Sequence, residues 1–196
     1  MTGRFFITGL PRSRTAWLAV VSESIFGGEA SCVHEPTAEA ESWMDACRFW
    51  ERDDRDFLGI ADSCLGLHVA EILDRWRPQT LIVERPVADV GAALAKAGLP
   101  VSLKALGLLQ RRLDAVRDHT FVRTIAYSRL NEVGEVCDVL KWLLPGAVPD
   151  ERRVARLMGM NIQASVDRAK AAAARTIKAG NLAGVVGTEF LDELMA

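Results

Sequence analysis

Short apolar runs alternate with longer segments of helical periodicity along most of the chain, and this alternation restricts the fold more than any other feature. Arg4 to Thr8 (RFFIT) and Thr80 to Glu84 (TLIVE) are the clearest runs, each too short for a helix and followed by turn residues. Strands that alternate with helices are typical of α/β proteins, whose mainly parallel sheet lies between helices. We therefore predict a three-layer α/β/α fold. Further strands are expected at 30–33, 57–61 and 121–126.

The segments between these strands predict the helices of the outer layers. Capping residues mark several of the starts, such as Thr37 before one segment and Asp62-Ser63 before the next. Residues 1–148 are expected to form the core, and 149–196 a C-terminal helical extension of the same domain. The expected helices are 15–26 (ended by Gly27-Gly28), 37–50, 62–76, 87–96, 101–118, 131–143, 151–158 and 164–179.

Composition argues against several classes of protein. The 196 residues have a formal net charge of −2 and a pI of about 6.0, so the chain lacks the basic field of a protein that coats nucleic acid. No apolar run approaches the roughly 18–20 residues that cross a bilayer. Met1 to Gly9 resembles a strand rather than a leader peptide, so we expect a cytoplasmic protein. The four cysteines form no CxxC pair and the three histidines complete no metal-ligand spacing, so no metal is expected.

The segment Gly9-Leu10-Pro11-Arg12-Ser13-Arg14-Thr15-Ala16 joins the first strand to the first helix, and we call it the phosphate loop. A helix N-terminus presents unpaired backbone N–H groups and the positive end of the helix dipole, a combination that binds phosphate or sulfate. Arg12 and Arg14 add cations with bidentate geometry, and Ser13 and Thr15 add hydroxyl donors. The alternative is a capped turn with two surface arginines. The GxxxxGK[ST] spacing and its lysine are absent, which disfavours a lysine-dependent ATPase or GTPase.

The phosphate loop resembles the first motif of the sulfotransferase superfamily, a strand followed by a Pro-Arg-Ser-Gly-Thr loop and a helix. Pro11, Arg12, Ser13 and Thr15 match, as do Trp17 and Leu18, whereas Arg14 stands where glycine is usual. The resemblance implies a P-loop-containing α/β fold. It also implies that Pro11 to Ala16 hold the phosphosulfate of 3′-phosphoadenosine 5′-phosphosulfate, the co-substrate.

A second segment, Leu81 to Val90, is similar to that family's Arg-Asp-Pro-Arg-Asp-Val motif. Arg85 matches the arginine that holds the 3′-phosphate of the nucleotide, and Ala93 stands at the position of its serine partner. The alternative for Arg85 is a strand-end salt bridge. Residues 59–63 resemble a further family segment in which Asp62 replaces a lysine, and 126–130 resemble the segment after the last core strand. The resemblance covers roughly residues 4–160.

A candidate base lies in His34-Glu35-Pro36, after the predicted second strand. This position is at the carboxyl edge of the sheet, where open α/β sheets bind ligands. Sulfuryl transfer to a hydroxyl needs a base near the acceptor oxygen. The resemblance implies Glu35 for this role, with His34 as the substitute and Arg12 stabilising charge on the leaving phosphate. The alternative is a loop pair that satisfies local hydrogen bonds.

These expectations together favour sulfotransferase-like transfer of a sulfuryl group from the nucleotide donor to a hydroxyl or amine acceptor, either a small molecule or a polymer. Two alternatives remain. One is a P-loop nucleotide kinase or other phosphotransferase, with Asp62 as a candidate magnesium ligand. The other is a non-catalytic protein that binds a nucleotide or anion. The Ala-rich segment 164–179 is compatible with a homo-oligomer.

Overall fold

The computed structural model describes residues 3–26, 30–52, 55–99 and 101–160. Within these ranges, five strands form a single sheet in which all neighbours are parallel, in the order β2-β3-β1-β4-β5. The predicted strands are present, each to within one residue at either end. They are β1 (Gly3–Gly9), β2 (Ala30–His34), β3 (Phe57–Ala61), β4 (Gln79–Glu84) and β5 (Val122–Ala126).

Eight α-helices accompany the sheet in the described part of the chain. None of the helices there is long and apolar enough to cross a bilayer. The predicted limits of α1, α5 and α8 agree with the structure, although Gly27-Gly28 lies outside the described residues. The helices are α1 (Thr15–Phe26), α2 (Trp43–Cys47), α3 (Phe49–Arg52), α4 (Val69–Trp76), α5 (Val87–Lys96), α6 (Leu103–Asp114), α7 (Val133–Leu143) and α8 (Glu151–Met158).

The continuous helix predicted over 37–50 is wrong. The chain there forms a short 3-10 turn at Pro36–Ala38, followed by α2 and α3. Ser42 adopts an extended conformation and its hydroxyl accepts a hydrogen bond from the Asp45 amide, so α2 starts anew at this cap. Three other predicted helices are shorter than expected. The segment 62–76 forms a 3-10 turn at Cys64–His68 before α4 begins. The helix expected over 131–143 begins only at Val133, after a 3-10 turn at Tyr127–Asn131, and the one expected over 101–118 covers only α6.

Helices cover both faces of the sheet, which confirms the α/β class. Because side chains alternate along a strand, Phe5 and Ile7 face one layer and Phe6 faces the other. The Phe5 side packs against α1, α7 and α8. The Phe6 side packs against α2 to α6. Each layer is therefore a separate apolar core in contact with the same buried sheet.

The two central strands send the chain to opposite faces of the sheet. β1 continues into α1 on the Phe5 side, whereas its neighbour β4 continues into α5 on the Phe6 side. Such divergence leaves a crevice at the carboxyl edge, the usual ligand position in open α/β sheets. Gly9 lies at this point, where a Cβ atom would stand 2.6 Å from the Val83 carbonyl oxygen. The first position of the phosphate loop therefore requires glycine.

α8 packs on the core next to α1. Val154 is fully buried, and the indole Nε1 of Trp17 donates a 2.9 Å hydrogen bond to the carbonyl oxygen of Leu157. The start of the predicted C-terminal extension is therefore joined to the helix that follows the phosphate loop. The further helix expected over 164–179 lies outside the described residues.

Candidate functional site

A cleft of about 480 Å³ opens at the carboxyl edge, between the divergent strands β1 and β4. Its wall combines the phosphate loop, the ends of β2 and β4, the turn after β5 and the end of α8. Among the predicted site residues, Pro11 and Ser13 belong to the loop but do not line the cleft. The others all line it: Arg12, Arg14, Thr15, Ala16, His34, Glu35 and Arg85.

The phosphate loop has an unusual backbone. Arg12 and Arg14 both have left-handed conformations, with φ of 66° and 61°. This conformation costs a residue with a Cβ about 1–2 kcal/mol relative to glycine. Arg14 stands where the sulfotransferase motif has glycine, and its backbone in this chain does have a positive φ. The first helical hydrogen bond, from the Leu18 amide to the Arg14 carbonyl oxygen (3.0 Å), follows directly.

Ser13 lies between the two strained arginines and is fully buried. Its hydroxyl has no hydrogen-bond partner among the described residues. An unpaired buried hydroxyl costs about 1–3 kcal/mol. Thr15 begins α1, is also buried and lines the cleft, so the first turn of this helix adjoins the cleft. The loop therefore combines backbone strain with an unsatisfied donor.

Arg85 stabilises this loop from the neighbouring strand. It follows β4, and its Nη1 donates a 2.6 Å hydrogen bond to the carbonyl oxygen of Arg12. The strand-end ion pair considered for Arg85 is formed instead by its neighbour Glu84, which pairs with Arg117. Ala93, at the serine position of the resembling family, also lines the cleft.

The ring of Tyr127 lies against two of the three arginines of the cleft, Arg14 and Arg85. The guanidinium carbon of Arg85 lies 4.4 Å from the centroid of its ring, and that of Arg14 lies 5.3 Å from it. Both distances are within the range of cation–π attraction. Arg14 also donates from Nη1 to the Leu130 carbonyl oxygen (3.2 Å) and to Oδ1 of Asn131 (2.9 Å).

His34 and Glu35 reach the cleft from the end of β2. The Nε2 of His34 lies 3.7 Å from Oε1 of Glu35, and both side chains remain partly exposed. Glu35 has a left-handed backbone with φ of 51°, and its amide donates to the Ala61 carbonyl oxygen of the adjacent strand (2.9 Å). β2 is two strands from β1, or about 10 Å at the usual strand spacing. The phosphate loop and Glu35 thus line the same cleft from two different strands.

Asp62 does not line the cleft, although it follows β3 at the same edge. It is fully buried and accepts hydrogen bonds from the Thr37 hydroxyl (2.6 Å), the Thr37 amide (3.2 Å) and the Leu65 amide (3.0 Å). Desolvation by burial raises its pKa, and the nearby charge of Glu35 adds to the increase, against the lowering effect of these bonds. The carboxylate considered as a magnesium ligand instead joins two turns of the chain.

Sequence reasoning noted the 126–130 segment but did not name Tyr127 as a site residue, and it did not select the end of α8, Met158 to Met160; all of these line the cleft. Tyr127 is the single tyrosine of the chain and directly follows the last strand, which is a usable signal. Met158 has no comparable signal, because only the packing of α8 against α1 brings it to the cleft.

Comparison of the chain with family models, curated proteins and solved structures gave no match.

Proposed function

We propose that the cleft binds the phosphosulfate group of 3′-phosphoadenosine 5′-phosphosulfate and transfers its sulfuryl group to a hydroxyl or amine acceptor. The observation that carries this proposal is the convergence of Arg12, Arg14 and Arg85 on one cleft at the N-terminus of α1. The phosphate loop then serves as the P-loop of such an enzyme, and the nucleotide is its co-substrate.

The charge of the cleft supports an anionic ligand. Three guanidinium groups line it, against the single carboxylate of Glu35. Like charges in a partly buried site repel one another, and a bound dianion relieves that repulsion. Guanidinium groups match phosphate and sulfate oxygens in bidentate pairs, which adds direction to the attraction.

Backbone strain supports a ligand site at the same place. Among the described residues, four other than glycine have a positive φ, and three of them line the cleft: Arg12, Arg14 and Glu35. The fourth, Arg77, ends α4, where a left-handed residue is ordinary. Strained residues persist where the surrounding structure holds them, and they cluster at binding and catalytic sites.

The residues of the chain suit the two ends of the donor differently. Thr15 and the loop cations line the cleft and fit the phosphosulfate end, whereas Ser13, with its buried and unpaired hydroxyl, does not line it. For the 3′-phosphate, Arg85 retains further N–H donors beyond the one bonded to Arg12, whereas Ala93 offers none. Glu35 would take the proton from the acceptor, with His34 beside it, and Arg12 would stabilise charge on the leaving phosphate.

Thermal unfolding in the presence of ligands tests the proposal. A ligand at 100 times its Kd stabilises the folded protein by about 2.7 kcal/mol. We expect a rise in Tm with 3′-phosphoadenosine 5′-phosphate, and a smaller one or none with ATP and magnesium. Stabilisation by ATP and magnesium alone would identify a phosphotransferase instead.

Two variants separate binding from chemistry. Arg12→Ala should lose affinity for the nucleotide while keeping the fold. Arg48→Ala is its matched control, because Arg48 is an exposed arginine at the end of α2 that does not line the cleft. Glu35→Gln should keep the affinity and lose turnover. Turnover is measured as release of 3′-phosphoadenosine 5′-phosphate from the donor in a panel of hydroxyl and amine acceptors. Full turnover by Glu35→Gln would exclude this carboxylate as the base.

Non-catalytic nucleotide binding is the second candidate. The bond from Arg85 to the loop, together with Ala93 in the wall, favours it, because both reduce the grip on a 3′-phosphate. A Tm rise with nucleotide but no turnover in any acceptor would support this second function. The hydrogen bonds that Asp62 accepts from Thr37 and Leu65 argue against the magnesium role considered for the phosphotransferase alternative.

A further inference from the structure

We infer that Tyr127 is a positioning residue whose aromatic ring holds the guanidinium groups of Arg14 and Arg85 in place for an anion. The inference rests on the anion-binding part of the proposed function. It assigns the role to the ring and not to the hydroxyl.

The topology places Tyr127 beside Arg85. β4 and β5 are parallel neighbours, and Glu84 is paired in register with Ala126. Arg85 and Tyr127 are the next residues on the two strands, so they leave the sheet side by side. The resulting distance from the Arg85 guanidinium carbon to the ring centroid is 4.4 Å, the shortest cation–π distance among the described residues.

The turn that begins at Tyr127 also holds the other cation. Arg14 lies over the Tyr127 ring at 5.3 Å and is bonded to the Leu130 carbonyl and the Asn131 side chain at the other end of the same 3-10 turn. A residue of the phosphate loop is thus fixed by a turn more than 100 positions later in the sequence. This arrangement restrains the long Arg14 side chain before any ligand arrives.

Electrostatics explains why a ring suits this position. Two guanidinium groups that share a cleft repel each other, and an anion is bound best when both are already directed at it. The π face of an aromatic ring carries negative charge density and attracts both cations without neutralising them, as a carboxylate would. Positioned cations lose less rotamer entropy on binding, which raises affinity.

Calorimetric titration with 3′-phosphoadenosine 5′-phosphate and with inorganic pyrophosphate tests this role. Tyr127→Leu removes the ring and should weaken binding about ten-fold, or about 1.4 kcal/mol. Tyr127→Phe restores the ring and should bring the affinity back to within about two-fold of the wild type. Phe121→Leu removes a partly buried aromatic ring just before β5, away from the cleft, and should not alter binding.

Two outcomes would overturn the inference. Equal affinity of Tyr127→Leu and the wild type would show that the ring does not position the arginines. A loss in Tyr127→Phe as large as in Tyr127→Leu would assign the role to the hydroxyl. A coupling test adds a readout that a purely structural role would not change: in an Arg14→Gln background, Tyr127→Leu should cost clearly less than in the wild type.

A ligand-free measurement separates this inference from the proposed function. The Nε–H resonance of Arg85, whose guanidinium lies over the Tyr127 ring, should be shifted by the ring current in the wild type and in Tyr127→Phe, and not in Tyr127→Leu. Arg14 is unsuitable as this reporter, because its guanidinium also lies 5.9 Å from the centroid of the Trp17 ring. Failure of the wild type to bind either anion would refute the proposed function, and the positioning of arginines for an anion would be refuted with it. An unshifted Arg85 resonance in a wild type that does bind anions would refute the positioning role alone.

Discussion

Arg14 combines a costly backbone with a useful side chain. Its φ of 61° places the Cβ in a crowded conformation, while its guanidinium contacts Tyr127, Leu130 and Asn131. Glycine would remove the strain but would supply no cation. At the scale of single residues, the loop therefore keeps a local destabilisation in exchange for a fixed positive charge in the cleft.

Two substitutions at Arg14 separate these effects. Arg14→Ala and Arg14→Gly both remove the guanidinium contacts, but only glycine accepts a positive φ without strain. We expect Arg14→Gly to exceed Arg14→Ala in free energy of unfolding by about 1 kcal/mol, as measured by urea denaturation. Both should bind 3′-phosphoadenosine 5′-phosphate more weakly than the wild type. Equal stability of the two variants would contradict the left-handed conformation of this residue.

Asp62 acts at the scale of elements, because it joins the connection after β2 to the connection after β3. Through Thr37 it fixes the 3-10 turn that follows Glu35, and through Leu65 it fixes the turn that leads into α4. The candidate base and the helical layer behind it therefore depend on one buried carboxyl group. This connection takes the place of the continuous helix that the 37–50 segment suggests.

The burial of Asp62 has a consequence for pH dependence. Desolvation raises the pKa of this group in the folded state above its ordinary value of 3.8. The folded protein therefore binds the proton more tightly than the unfolded chain, and the stability from this group is lost as the pH rises through the folded-state pKa. Relative to Asp62→Asn, the wild type should be most stable below about pH 4 and lose part of that advantage by pH 7.

Urea denaturation of both proteins across this pH range measures the effect. Asp74→Asn, which removes an exposed carboxylate from α4, is the control for the loss of one negative charge. An advantage of the wild type over Asp62→Asn that grows with pH would mean that the folded-state pKa of Asp62 is lowered. That result would mean that the hydrogen bonds from Thr37 and Leu65 outweigh the desolvation of the carboxyl group.

Two neighbouring strands of the central sheet, β1 and β3, are packed so closely that one position between them tolerates only glycine. Gly59 of β3 lies opposite Phe5 of β1, and a Cβ at Gly59 would stand only 2.0 Å from the end of the fully buried Phe5 ring. The sheet can therefore keep its register here only because one partner has no side chain. Interiors are packed tightly enough that such a clash spreads to neighbouring groups.

We expect Gly59→Ala to lower the free energy of unfolding of the whole domain by about 3 kcal/mol, the upper part of the usual range for overpacking. Gly134→Ala is the matched control, since a Cβ there, in the first turn of α7, would meet no atom within 4 Å. Alanine is the better helix former, so the control should be unchanged or stabilised by up to about 1 kcal/mol. Wild-type stability of Gly59→Ala in urea denaturation would contradict this packing.

The sequence alone determined the α/β class, the strands to within one residue and the helices that have a clear period and clear ends, such as α5 and α8. These features are encoded locally, because apolar periodicity and caps act within a few residues. The strand, turn and helix that carry Arg12 and Arg14 were predictable for the same reason, because they are consecutive in the chain.

Which strand ends meet depends on contacts between distant parts of the chain. The tertiary structure brought Tyr127 and Met158 to a loop near the start of the chain, turned Asp62 away from the cleft and divided the 37–50 segment at the cap formed by Ser42. It also gave Arg14 the positive φ that its residue type disfavours. The physical reason is that these outcomes depend on packing between residues distant in sequence, whose contact energies outweigh local preferences of about 1 kcal/mol.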